Sequence, residues 1–239
     1  MADISDANRQ DFIKGKVLLV DKPYKWTSFD VVGRIRSVLR HRLGIKKIKV
    51  GHAGTLDPLA TGLLIICTGK QTKKLEQFQG LDKTYTGTFF LGMTSPSFDL
   101  ETVPCNPKST DHIDETLIRN TAYRLKGIQM QTPPLYSAKK IEGERAYTHA
   151  RKGLNTKLEP NRIEIKEFEI TSIEMPEISF RTVCSKGTYI RALVRDFGEL
   201  AGCGAYLSSL RRTHIGTYKV SDAISPDDFA GILDSLPSG

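Results

Sequence analysis

The chain has 239 residues, 39% of them hydrophobic and 26% charged, enough for one large domain or two small ones around a sizeable core. No apolar run approaches the roughly 18 residues that span a bilayer, the polar start over residues 1 to 10 lacks the apolar stretch of a signal peptide, and Cys67, Cys105, Cys184 and Cys203 form no C-x-x-C pair, so a membrane protein, a zinc module and a disulfide scaffold are set aside in favour of a cytoplasmic protein with reduced thiols. A net charge of +8 and a pI near 9.3 favour a polyanionic partner.

Residues 1 to 14 read as a polar tail. A short apolar strand over 16 to 20 ends at Asp21-Lys22-Pro23. Thr27 or Ser28 can cap a helix in which Val31, Val32, Ile35, Val38 and Leu39 recur at helical spacing. From Arg34 to Lys49 there are seven Lys or Arg and no acid, a face suited to phosphate contacts. Trp26, the only tryptophan, reads as packing.

Residues 51 to 62 follow, Gly51-His52-Ala53-Gly54-Thr55-Leu56-Asp57-Pro58-Leu59-Ala60-Thr61-Gly62, just before the apolar run Leu63-Leu64-Ile65-Ile66-Cys67, a buried strand. The glycines allow sharp turns and close approach. Pro58 keeps Asp57 out of helical geometry, so a single carboxylate sits on a stiff loop beside the core. Taken alone, this is a place for chemistry or a turn in which Asp57 accepts local N–H groups.

Downstream, a helix over 70 to 79 presents Leu75 and Phe78 inward. A strand over 83 to 91 carries Tyr85, Gly87, Phe89 and Leu91 on one face. A loop with Thr94, Ser97 and Asp99, a linker over 101 to 109 and a helix over 111 to 125, capped near Thr110 or Asp111, come next. The segment from 127 to 152, with Pro133, Pro134, Lys139 and Lys140, reads as extended. Paired strands over 163 to 173 and 178 to 184 flank Met175-Pro176-Glu177. Thr188 is expected to cap a helix with the stripe Ile190, Leu193, Val194, Phe197 and Leu200. In a strand over 205 to 213, Arg211 and Arg212 alternate, so at most one points inward. A short helix over 226 to 236 follows.

Several of these stretches resemble the TruB family of tRNA pseudouridine synthases. Residues 51 to 62 match its Gly-His-x-Gly-x-Leu-Asp-Pro-x-Ala-x-Gly motif in order. Lys83-Thr84-Tyr85, the Gln131 to Arg151 block with its Pro-Pro-x-Tyr-Ser-Ala sequence, Gly187-Thr188-Tyr189-Ile190-Arg191 and Leu210-Arg211-Arg212 match further motifs. The resemblance implies an α/β fold with a mixed, largely antiparallel sheet flanked by helices, where periodicity alone gives strands and helices intermixed. It implies one catalytic domain over 15 to 239, with residues 127 to 152 as an RNA-clamping insertion. The 26 residues after Thr213 are too few for the PUA-type RNA-binding domain common in bacterial members. That shortness also argues against the guide-RNA-dependent branch, so no guide RNA, no membrane and a monomer acting on the tRNA T-stem-loop are expected.

By the same resemblance, uridine at position 55 of tRNA is isomerised to pseudouridine: N1–C1′ breaks, the base turns, C5 joins C1′ and the C5 proton leaves. Nothing is oxidised, so no cofactor and no metal are implied. Asp57 acts by attack at C1′, addition at C6 or abstraction of the 2′ proton, and all three stay open. Arg191 supplies the cation that keeps Asp57 ionised. Tyr85 stacks on the uracil, Tyr189 walls the pocket and His52 lies against the RNA loop. Lys140, Arg151 and Arg211 bind substrate, with Lys139, Arg145 and Lys152 as further clamp residues. The rival readings are a non-catalytic RNA-binding or RNA-folding protein, a pseudouridine synthase for another RNA and, more remotely, an N-glycosidase.

Overall fold

The computed structural model describes residues 9–137, 140–141, 144–145 and 158–234. In chain order its elements are α1 (Arg9–Lys14), β1 (Val17–Lys22), α2 (Ser28–Arg42), β2 (Val50–His52), β3 (Thr61–Thr68), a 3-10 turn (Gly69–Lys74), α3 (Leu75–Gly80), β4 (Lys83–Leu91), α4 (Glu115–Arg124) and β5 (Gly127–Gln131). They continue with the short pair β6 (Lys140–Ile141) and β7 (Glu144–Arg145), then β8 (Asn161–Glu174), β9 (Glu177–Cys184), α5 (Ile190–Leu200), β10 (Ala205–Ile215), β11 (Tyr218–Lys219), a 3-10 turn (Val220–Asp222) and α6 (Pro226–Asp234). The sequence reading placed one domain over 15 to 239. The coordinates divide into two compact units, residues 1–85 with 211–239 and residues 86–210, and the strands β4 and β10 each pass from one into the other.

In the first unit β3 is the central strand. It pairs antiparallel with β1, Leu19 opposite Ile65, and parallel with β10, Arg212 opposite Gly62. Its Leu63-to-Cys67 run is fully buried because each face meets its own apolar cluster. Leu64 and Ile66 join Val31, Ile35 and Leu39 of α2 and Phe229 of α6. Leu63, Ile65 and Cys67 join Ala53 and Ile215, with Leu75 and Phe78 of α3 packed against them. Burial pushes the Cys67 thiol up to about 11, so it is inert at neutral pH. A reciprocal capping box starts α2: Thr27 Oγ1 accepts from the Asp30 N–H (3.0 Å) and the Asp30 carboxylate from the Thr27 N–H (2.7 Å). Trp26 packs against the first cluster, as read.

Part of the stretch read as a polar tail is helical. Residues 9 to 14 form α1, whose Phe12 is buried edge-to-face on Phe229, 6.1 Å between centroids. One buried aromatic in a six-residue helix leaves no periodic signal.

In the second unit the strand order is β10-β4-β9-β8-β5. The β8–β9 and β8–β5 pairs are antiparallel. Phe89, Phe168, Phe180 and Phe197 form the aromatic centre, at centroid separations of 4.8 to 6.1 Å. With antiparallel β1–β3, β2–β3 and β10–β11 pairs, the sheet is mixed and mainly antiparallel, as the resemblance implied.

The segment from 127, read as extended, begins as strand β5, which Ile128 opposite Glu164 ties to β8. Two other local readings change. Asp114, not Thr110 or Asp111, caps α4 by accepting from the Leu117 N–H at 2.6 Å. The residue preceding α5 is Tyr189: the Thr188 hydroxyl turns back to the Ser185 carbonyl (2.9 Å), and Leu200 is 41% exposed, outside the buried stripe.

Candidate active site

Asp57 stands half-buried on the loop between β2 and β3. Hydrogen bonds from three directions fix the main chain of that loop. The Ser28 hydroxyl, in the first turn of α2, accepts from the Leu56 N–H (2.9 Å) and donates to the Leu56 carbonyl (3.2 Å). On the other side of Asp57, the Pro58 carbonyl accepts from the Lys25 N–H (2.9 Å) and from Lys22 Nζ (3.3 Å).

Arg212 holds the outer arms of the loop. This fully buried guanidinium donates to the Leu63 carbonyl through Nε (2.7 Å) and to the Gly54 and Thr55 carbonyls through its two terminal nitrogens (3.1 and 3.4 Å). Gly62, at φ +107°, lies against the Arg212 main chain so closely that a Cβ would meet its carbonyl oxygen at 2.3 Å. That close approach is why glycine stands there.

Lys22 is the second buried cation. Its ammonium also donates to the Trp26 (2.6 Å) and Pro23 (3.0 Å) carbonyls. Burial pulls Lys22 down to about 8, the Asp57 carboxylate acts the other way, and Arg212 adds to the lowering. Asp57 thus lies within the electrostatic reach of a buried ammonium. Neither Lys22 nor Arg212 was among the site residues read from the sequence. The Leu-Arg-Arg segment allowed at most one arginine to point inward and the reading gave Arg211 to the substrate, and Asp-Lys-Pro gives no sign that a lysine is buried.

Arg211 makes a fork-to-fork pair with Asp21 (2.6 and 3.1 Å), its side chain 41% exposed, and also reaches the Thr61 hydroxyl. His52, on β2, is half-buried with its ring edge-to-face on Phe29, 5.3 Å away. Burial lowers the His52 imidazole, a hydrogen bond with the Gly54 backbone opposes this, and Arg212 adds to the lowering, so it is neutral near pH 7. Tyr85 is buried on β4.

In the second unit, Arg191 is buried on the first turn of α5. It donates to the Ser97 (3.0 Å) and Tyr136 (2.8 Å) carbonyls and stands 3.5 Å from the Asp99 carboxylate. The sequence reading gave Ser97 and Asp99 to a structured loop, and here that loop holds the arginine. Gln131 clasps the Tyr189 main chain from both sides, accepting from its N–H (2.9 Å) and donating to its carbonyl (3.1 Å). Arg151 lies outside the described residues, as do Lys139, Lys152 and the side chains of Lys140 and Arg145.

A separate cavity of about 290 Å³ in the first unit is lined by Ile13, Ile48 and Thr72 together with Lys47, Lys49, Lys70 and Lys73. Among the described residues no group of three or more His, Cys, Asp or Glu is placed to hold a metal ion. No described helix is long and apolar enough to cross a membrane.

The family model for the TruB family pseudouridylate synthase N-terminal domain matches residues 40–190, and that for the tRNA pseudouridylate synthase B C-terminal domain matches 191–235. The chain is 53% identical over 216 residues to the tRNA pseudouridine synthase B of Flavobacterium johnsoniae, covering 90% of this chain and 94% of that protein. It is 50% identical to the Phocaeicola vulgatus protein of the same name (94% and 95% covered) and 48% identical to that of Chlorobaculum tepidum (90% and 89%). Among solved structures it is similar to a chain of a Cbf5-Nop10-Gar1 complex (TM-score 0.65, 28% identity, 88% of this chain) and to one of an H/ACA RNP bound to a substrate RNA containing 2'-deoxyuridine (TM-score 0.66, 25%, 92%). It spans about half the length of those two chains, 51% and 54%. The loop that carries Asp57 and the helix start that carries Arg191 both lie within matched regions, and the chain belongs to the TruB family of pseudouridine synthases.

Proposed function

We propose that this chain isomerises uridine to pseudouridine in the T-loop of tRNA, at position 55, with Asp57 as the carboxylate that acts on the nucleoside. The observation that carries this is the loop itself: one carboxylate flanked by main chain that Ser28, Lys22, Lys25 and Arg212 hold from outside. Such preorganisation suits a group that must meet a reacting atom at one distance. The names of the curated relatives supply tRNA as the substrate.

The target base leaves its stack, with His52, at the end of β2 just before that loop, against the RNA. Asp57 attacks C1′ or C6 or takes the 2′ proton, the N1–C1′ bond breaks and the base turns; C5 joins C1′, the bond to Asp57 breaks or the 2′ proton returns, and the C5 proton passes to solvent. Tyr85 stacks on the uracil and Tyr189 walls the pocket. Arg191 supplies the guanidinium that partners the Asp57 carboxylate during the reaction, while Asp99 and two carbonyls hold it in one rotamer. Lys140, Arg151 and Arg211 contact the RNA backbone.

The test is release of tritium from tRNA labelled at C5 of uridine, with wild type and Asp57→Asn side by side, followed by mapping of the modified position. Release by wild type alone, mapped to position 55, is the expected result. Turnover retained by Asp57→Asn overturns the assignment of Asp57, and release mapped elsewhere overturns the T-loop.

A further inference from the structure

Residues 22 to 29 are tied to the Asp57 loop by the Lys22, Lys25 and Ser28 bonds to Leu56 and Pro58 described above. The same eight residues carry two large aromatic rings turned to solvent, Phe29 at 60% exposure and Tyr24 at 52%. Their neighbours behave differently: Trp26 packs on the core and Ser28 is buried. Phe29 follows Ser28 in the first turn of α2 and forms a T-shaped pair with the His52 ring, at 89° between planes. The Lys25 ammonium lies 5.6 Å from the Tyr24 ring centroid. Exposed aromatic faces bracketed by a histidine and a lysine, on a segment bolted to the active loop of a strongly basic chain, match what unpaired bases need: a π-face to stack on and a cation for the adjoining phosphate.

We infer that Phe29, with Tyr24, is a stacking platform for unpaired bases of the RNA loop other than the target uridine. This rests on the functional reading above, which supplies an RNA loop as substrate. The occupant is single-stranded nucleotide, because duplex bases present no free face and a bare phosphate contact needs no ring.

The deciding experiment measures affinity of wild type, Phe29→Ala, Tyr24→Ala and Phe29→Trp for unmodified tRNA and for a blunt RNA duplex with no unpaired base, in one buffer. Both positions are on the surface, and melting curves confirm that each variant is folded. Phe29→Ala weakens tRNA about tenfold and Tyr24→Ala less, the duplex changes by less than about twofold, and Phe29→Trp keeps wild-type affinity. Unchanged tRNA binding by Phe29→Ala, or an equal loss on tRNA and duplex, overturns the platform. The tritium assay separates the two failures: wild type that modifies no tRNA sinks the functional reading, whereas an active wild type with an unaffected Phe29→Ala sinks the platform alone.

Discussion

Arg212 and Lys22 give the Asp57 loop its shape, and each makes a prediction of its own. A lysine in place of Arg212 cannot span the Gly54, Thr55 and Leu63 carbonyls, so at least one buried acceptor loses its donor, at about 1–3 kcal/mol. Arg212→Lys therefore lowers the urea midpoint and, because the loop loosens, lowers turnover about a hundredfold with tRNA affinity unchanged. A variant that loses affinity but keeps its maximal rate would count against the clamp. Lys22 gives a pH signature. Its folded value of about 8 lies below its ordinary 10.5, so between those values the unfolded chain binds more protons than the folded one and stability rises with pH. Wild type should gain stability from pH 8 to 10 relative to Lys22→Met. Parallel stability curves for the two proteins would show that Lys22 does not titrate in that window.

At the level of elements, the parallel pairing of β3 with β10 begins where the Asp57 loop ends, with Thr61 opposite Arg211 and Gly62 opposite Arg212. A side chain at Gly62 meets both a positive φ and a backbone contact that cannot yield. Gly62→Ala is expected to cost about 3 kcal/mol or more in chemical unfolding. Gly33, in the exposed part of α2, meets nothing within 4 Å, so Gly33→Ala is stabilising by up to about 1 kcal/mol. Melting temperatures that fail to move in these opposite directions would contradict this reading of the two glycines.

Across the whole chain, charge governs encounter. With a net charge of +8 and the Lys47, Lys49, Lys70 and Lys73 cavity outside the Asp57 loop, tRNA affinity is expected to fall steeply with salt, the log–log slope growing by about 0.7 to 0.9 for each phosphate neutralised. Lys70→Glu with Lys73→Glu flattens that slope and weakens tRNA of any sequence alike. A flat response in wild type would remove phosphate contacts from the account.

Order along the chain sufficed wherever the signal was local. The apolar run Leu63 to Cys67 announced the central strand, the Thr27–Asp30 spacing announced a capped helix, and the residues around Asp57 spelled out a family and a reaction. Burial of charge was not local. Arg212 is fully buried because it reaches the Gly54, Thr55 and Leu63 carbonyls, 149 to 158 positions away along the chain, and Lys22 because the Pro58 carbonyl, 36 positions away, joins two nearby ones, and no periodicity encodes such distant contacts. The choice between Arg211, paired with Asp21, and Arg212, inside the loop, followed from which face of β10 meets β3's loop, a matter of register. Phe12 and Leu200 were misplaced for the same reason: a helix's apolar residue is buried only if another element arrives to cover it. Chemistry was therefore written in residue order, and the frame that aims it came from chain segments meeting in space.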